Sequence, residues 1–239
     1  MAHTERIRRK DLRQPDEFLT LSRRAVAYAE ENRTTFFIVI GGIVVLLAAV
    51  LIFRAVRASR QASAAQAYAQ AHVLLDDKKY ADAATAFQQV ADTYSSTSYA
   101  ALSQLDAANA LLLADRAAEA ATAYQKFLDA GPPTDYLRQV ALVRLGHAQE
   151  QDGKPADAAR TFASAAELAG PYAEEALAGQ ARTAEVSGDQ AAAKDLYARF
   201  LEKYPQSDRR PLVTSRLVAL GGTPPPAGSV AAAAAAEAE

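Results

Sequence analysis

One phrase recurs along the 239-residue chain: YADAATAF from Tyr80, ADRAAEAATAY ending at Tyr124, and PADAARTF ending at Phe162. Aligned on a central alanine it has four copies, at Ala83, Ala120, Ala158 and Ala193, spaced by 37, 38 and 35 residues. Four residues beyond each alanine stands an aromatic ring, Phe87, Tyr124, Phe162 or Tyr197, and three further on Val90, Phe127, Ala165 or Phe200. Twelve residues before each stands a small residue, Ala71, Ala108, Gly146 or Ala181. Breakers separate the two halves of a unit, as in EQDGKPADA and VSGDQAAA, and follow its second half, as in AGPP and KYP. Each unit therefore reads helix, tight turn, helix. The small residues suit a close helix crossing, and the ring fills the gap toward the neighbouring pair. A single pair cannot bury its own apolar face, so several must stack. The apolar half of the composition is largely alanine, the strongest helix former, and the reading is all-α.

Thr34–Phe53, TTFFIVIGGIVVLLAAVLIF, is a second constraint: 20 uncharged residues with no polar stripe. That is the length a helix needs to cross about 30 Å of hydrocarbon. A cleaved signal peptide has a shorter apolar core, of about 7–15 residues, and the small-residue site Ala62–Ala64 lies too far downstream. Eight basic residues precede the segment (Arg6, Arg8, Arg9, Lys10, Arg13, Arg23, Arg24 and Arg33) and three follow it closely (Arg54, Arg57 and Arg60). The positive-inside bias then keeps the N-terminus cytoplasmic and sends the repeats across. Gly41, Ala48 and Ala55 recur every seven residues. They read either as a packing face for a membrane partner, a second copy of the chain included, or as ordinary small-residue content. In the arm before the span, Phe18, Leu21, Ala25 and Tyr28 share one helical face beside Arg23 and Arg24. That face fits either contact with inner-leaflet lipid or a solvated helix.

Several chemistries are excluded. The chain has no cysteine, hence no disulfide, zinc thiolate or cysteine nucleophile. Its net charge of −2 gives no general attraction to nucleic acid. No phosphate loop, HExxH or nucleophile elbow is present. Asp76–Asp77 and Glu174–Glu175 read as caps and solvated charges at turns or helix starts. Neither an enzyme nor a cofactor is expected.

The four units resemble the tetratricopeptide repeat family. The third fits best, with Leu142, Leu145, Gly146, Gly153, Ala158, Phe162 and Ala165; the first has Ala71, Tyr80, Ala83 and Phe87, and the fourth Gly188, Ala193, Tyr197 and Pro205. The early Trp position is filled by other residues, and the spacings exceed the family's 34 by one to four. The resemblance implies a right-handed α-solenoid of about four helix pairs whose first helices line a concave, partner-binding side. On that side Tyr68, Leu105, Val143 and Ala178 form one row; His72, Asn109, His147 and Arg182 the next; Leu75, Leu112, Glu150 and Glu185 a third. The rows suit a docked peptide, while Leu105 and Leu112 fit core packing equally well. His72 and His147, 75 residues apart, lack metal-ligand spacing. In the rows, only Asn109 matches the ladder by which some relatives grip C-terminal carboxylates.

The expected plan is a cytoplasmic basic arm (1–33), a transmembrane helix (34–53), a juxtamembrane linker (54–63), the repeat domain (64–207), a capping helix (208–220) facing inward through Leu212, Ser215/Arg216 and Leu220, and a disordered Ala/Pro-rich tail (221–239). This plan looks like the bacterial YfgM-like family, an ancillary subunit of the Sec translocon. That resemblance implies a single-pass inner-membrane protein whose periplasmic repeats bind translocon subunits or periplasmic chaperones. A scaffold for outer-membrane or cell-wall assembly is the rival. A cytosol-facing import receptor is a second rival, disfavoured by the eight upstream basic residues.

Overall fold

The computed structural model describes residues 33–225. Readings made for the arm before Arg33 and for the tail beyond Pro225 lie outside the described residues. Within them the secondary structure is helical throughout: α1 (Arg33–Asp76), α2 (Tyr80–Thr93), α3 (Ser98–Leu113), α4 (Ala117–Asp129), α5 (Asp135–Gln151), α6 (Pro155–Glu167), α7 (Ala173–Val186), α8 (Gln190–Lys203) and α9 (Arg210–Ala219). The chain divides into two compact units at Ser59/Arg60.

In the first unit α1 exposes its apolar side chains on every side, from Phe36 at 40 % to Phe37 and Val45 at 69 %. The segment is long and apolar enough to cross a membrane. Residues 54–63, expected as a linker, are helical instead and belong to α1. The cause is visible in the residues: neither Gly nor Pro occurs between Gly42 and Gly131, and alanine dominates after Arg54.

In the second unit α2 to α9 each pack against their neighbour in sequence, and Ala71 of α1 packs with Ala83 and Phe87 of α2. The core is a series of small clusters, each built from one pair and the helix that follows it. Ala71 of α1, Ala83 and Phe87 of α2, and Ala107 and Ala110 of α3 form the first. Leu105 and Ala108 meet Ala120, Tyr124 and Phe127 of α4 and Ala141 and Leu145 of α5 in the second. Val143 of α5 meets Ala158 and Phe162 of α6 and Ala176 of α7 in the third. The fourth joins Ala181 of α7, Ala193, Tyr197 and Phe200 of α8, and Val213 and Leu217 of α9. The seven alanines at the small and central positions of the repeat, Ala71, Ala83, Ala108, Ala120, Ala158, Ala181 and Ala193, are fully buried, and Gly146 at the eighth position is buried too. Phe87, Tyr124, Phe162 and Tyr197 are at most 4 % exposed. Burying such a side chain is worth roughly 1.5–3 kcal/mol, and here every ring clusters with the helix that follows its own pair. Helix α9 takes the place a fifth pair would occupy. Its inward residues are Val213 and Leu217, whereas Leu212 is 61 % exposed, so the expected packing face is rotated by one residue.

Phe162 shows why small residues are needed. A Cβ on Gly146 of α5 would come within 2.7 Å of its ring, and one on Gly179 of α7 within 2.9 Å. The ring thus fills a slot with a glycine on each wall.

The four intra-pair turns share one geometry. Lys78, Asp115, Gly153 and Gly188, each seven residues past the small residue, have φ of 60°, 59°, 72° and 83°. In each, the next amide bonds back to a carbonyl five residues earlier: Lys79 to Leu74, Arg116 to Leu111, Lys154 to Gln149, Asp189 to Ala184. This is the Schellman closure, which needs a left-handed residue and satisfies carbonyls at the helix end.

The connection between α6 and α7 is closed differently. Gln139 of α5 is 1 % exposed. Its Nε2 donates to the Leu168 carbonyl at 2.9 Å and the Ala165 carbonyl at 3.2 Å, and its Oε1 accepts from the Tyr172 amide at 3.2 Å. A buried amide with these partners is satisfied and ties two consecutive pairs together.

Candidate partner-binding face

The first helices of the pairs place the three residue rows on α1, α3, α5 and α7. The first row is mostly core. Leu105 and Val143 are 6 % and 1 % exposed and Ala178 is 8 %, so they offer a partner little surface. Tyr68 is half-buried. The correction has a simple cause: a helix inside a stack packs on both flanks, so its apolar stripe is wider than one face.

The second row and the Glu150 and Glu185 half of the third are polar and joined across pairs, while Leu75 and Leu112 of the third row pack against the core. Asp106 of α3 gathers the first set. The Tyr68 hydroxyl donates to its Oδ2, Asn109 Nδ2 donates to Oδ1 at 3.1 Å, and His72 Nε2 lies 3.7 Å from Oδ2. The Tyr124 hydroxyl, arriving from α4, donates to Asn109 Oδ1 at 2.6 Å. Burial pushes the Tyr68 and Tyr124 hydroxyls above their ordinary pKa near 10, and the acceptor Asp106 adds to the effect on Tyr68.

Glu150 of α5 gathers the second set. Arg182 of α7 donates through Nε and Nη2 to its two oxygens at 2.9 and 2.6 Å. His147 Nδ1 lies 3.2 Å from Glu150 and its Nε2 2.9 Å from Glu175. Burial works against the Glu150 carboxylate, but the hydrogen bonds from His147 and Arg182 outweigh it and hold its pKa below the usual range. A paired guanidinium and carboxylate in this forked geometry bond more strongly than neutral groups do. Farther along, Glu185 accepts from the Tyr197 hydroxyl at 2.8 Å and from Arg216 of α9 at 3.3 Å.

The histidines are also packed. His72 meets Phe87 edge-on at 4.9 Å and His147 meets Phe162 at 5.1 Å. Pairs one and three thus set a histidine on a phenylalanine. Pairs two and four set a tyrosine hydroxyl on an acceptor. Each histidine faces carboxylate rather than a second imidazole, and among the described residues no three side chains are grouped to hold a metal ion.

The structure keeps His72 (38 % side-chain exposure) and Arg182 (44 %) accessible and leaves Leu112 partly so. Asp106 and Glu175, absent from the rows read in the sequence, hold the two networks together. Glu175 is not simply a solvated charge, and Glu174 accepts from the Ser207 hydroxyl at 2.6 Å. Asp106 stands three residues before Asn109, on the same side of the helix, and that spacing was the available signal.

What this face offers is a rigid, hydrogen-bonding surface that crosses pair boundaries. The tetratricopeptide repeat-like domain profile matches residues 27–222, which takes in α1 together with all the packed pairs. No curated protein matches the chain. With helix pairs, ring register and profile in agreement over most of its length, the chain belongs to the tetratricopeptide repeat-like domain family, whose stacked helix pairs serve as protein–protein interaction scaffolds.

Proposed function

We propose that the protein is a membrane-anchored scaffold of the bacterial envelope, with the N-terminus cytoplasmic and the repeat domain, a right-handed solenoid, in the periplasm. There it binds translocon subunits or periplasmic chaperones, as the YfgM-like resemblance implies. One observation carries the reading: a 20-residue apolar stretch left exposed among the described residues belongs to the same family match as the repeats. Exposed apolar surface of that extent is unfavourable in water at roughly 25 cal/mol per Å², and a bilayer removes the cost. The basic excess before the stretch supports the orientation. The partner surface is the second and third rows, where His72, Leu112 and Arg182 remain accessible.

Photo-crosslinkers at His72, Leu112 and Arg182, compared with Lys194 and Arg199 on α8, test this in cells. Translocon or chaperone adducts from the first three support the proposal. Adducts with cell-wall or outer-membrane assembly enzymes replace it with the envelope-assembly reading, and adducts from α8 alone move the binding surface. Protease added to spheroplasts is expected to digest the repeats; protection there overturns the orientation.

A further inference from the structure

The apolar stretch of α1 ends on arginine at both sides. Arg33 precedes it, Arg54 and Arg57 follow, and no acidic residue intervenes between Arg33 and Asp76. At 1.5 Å per residue, Arg33 and Arg54 are about 32 Å apart along the helix axis, close to the ~30 Å thickness of the hydrocarbon layer. The two guanidiniums therefore reach opposite phosphate levels when the helix stands across a bilayer. Arg57 is about 4.5 Å farther along, still inside a headgroup layer roughly 5–7 Å deep per leaflet. Positions i and i+3 bring Cβ atoms to about 5–6 Å, so Arg54 and Arg57 lie side by side at one depth range. Both are exposed, and among the described residues neither pairs with a carboxylate.

Basic residues at the exit of a span run against the positive-inside bias, so this pair opposes the orientation that the arm favours. Anionic headgroups supply what offsets it. A guanidinium presents a planar donor fork that matches phosphate geometry, and two adjacent forks suit a phosphate-dense lipid surface. We infer that Arg54 and Arg57 form a clamp for the phosphates of anionic phospholipids in the leaflet where the span leaves the membrane. The inference rests on the anchored reading.

The test uses the full chain in vesicles of phosphatidylcholine with one quarter phosphatidylglycerol, carrying a photoactivatable phosphatidylglycerol probe. Flotation reports insertion, and crosslink yield reports the lipid held. Wild type is expected to float and to capture the anionic probe over a phosphatidylcholine probe. R54Q/R57Q is expected to float equally and to lose about tenfold to thirtyfold in anionic yield, the scale of two basic residues at an anionic surface. R54K/R57K, which keeps the charge, is expected to retain part of it. Equal yields for wild type and R54Q/R57Q, with flotation intact, overturn the clamp alone. Failure of the wild type to float overturns the anchored reading and the clamp with it.

Discussion

The first two helix pairs and the last two make the same turn with different residues. Lys78 and Asp115 occupy the left-handed position in the former, Gly153 and Gly188 in the latter. The non-glycine residues carry a steric penalty of about 1–2 kcal/mol, partly offset because the unfolded chain has less freedom to lose than with glycine. The faces differ as well. Pairs one and two meet through hydroxyl and amide groups around Asp106, pairs three and four through charge around Glu150. Register is thus a property of the stack, while local chemistry varies pair by pair.

The largest test of this comparison is removal of a ring. Phe162→Ala, between its two glycines, is expected to lose about 3–5 kcal/mol of stability in urea unfolding, and Phe87→Ala a similar amount. A loss under 1 kcal/mol at Phe162 would mean that the slot is not the packing unit. Filling the slot from the other side should destabilise less: Gly179→Ala is expected to cost about 1–3 kcal/mol through overpacking, because its Cβ would stand 2.9 Å from the ring.

The turns come next and separate the two halves by sign. Gly153→Ala and Gly188→Ala are each expected to lose about 1–2 kcal/mol, while Lys78→Gly and Asp115→Gly gain a few tenths to about 1 kcal/mol. Equal signs in both halves would sink the shared-turn reading.

Titration gives the smallest effects and separates an acid limb, set at Glu150, from an alkaline limb to which Tyr124 and Tyr197 both belong. Glu150 has a lowered folded pKa, so the unfolded chain binds more protons in the acid range. Its contribution is full above the unfolded value near 4.5 and is lost as pH falls through the folded one; E150Q should flatten that acid limb. Tyr124 has a raised folded pKa, so its contribution is full below pH 10 and lost above it, and Y124F should flatten the alkaline limb. Circular dichroism melts across both ranges would show the two limbs moving independently.

Much of the fold was legible because its determinants repeat. Four alanines, four rings and four small residues in one register are hard to satisfy except by stacked pairs, and the core clusters follow that register. What escaped was set by context. Lys78 carries no mark of a left-handed turn, and Asp115 only the weak one that aspartate tolerates that region better than most residues. Gln139 reads as one more polar helix residue until the α6–α7 connection wraps over it. Val143 reads as a face residue, and Leu105 fits face and core equally, because a helix flanked on two sides needs a wider apolar stripe than a surface helix, and that shows only in the stack. Asp106 and Glu175 become informative only once neighbouring pairs are in place.

The common turn has a consequence for how such a chain can change length. Because every pair is closed by the same backbone hinge and ends on a ring that seats against the following helix, a whole pair can be added or removed without inventing a new junction. The segment spanned by Gln139 is the exception: its amide is fitted to one connection, so an insertion there would strand the donors and acceptors it now satisfies. Growth by duplication is therefore easier ahead of α5 than between α5 and α7.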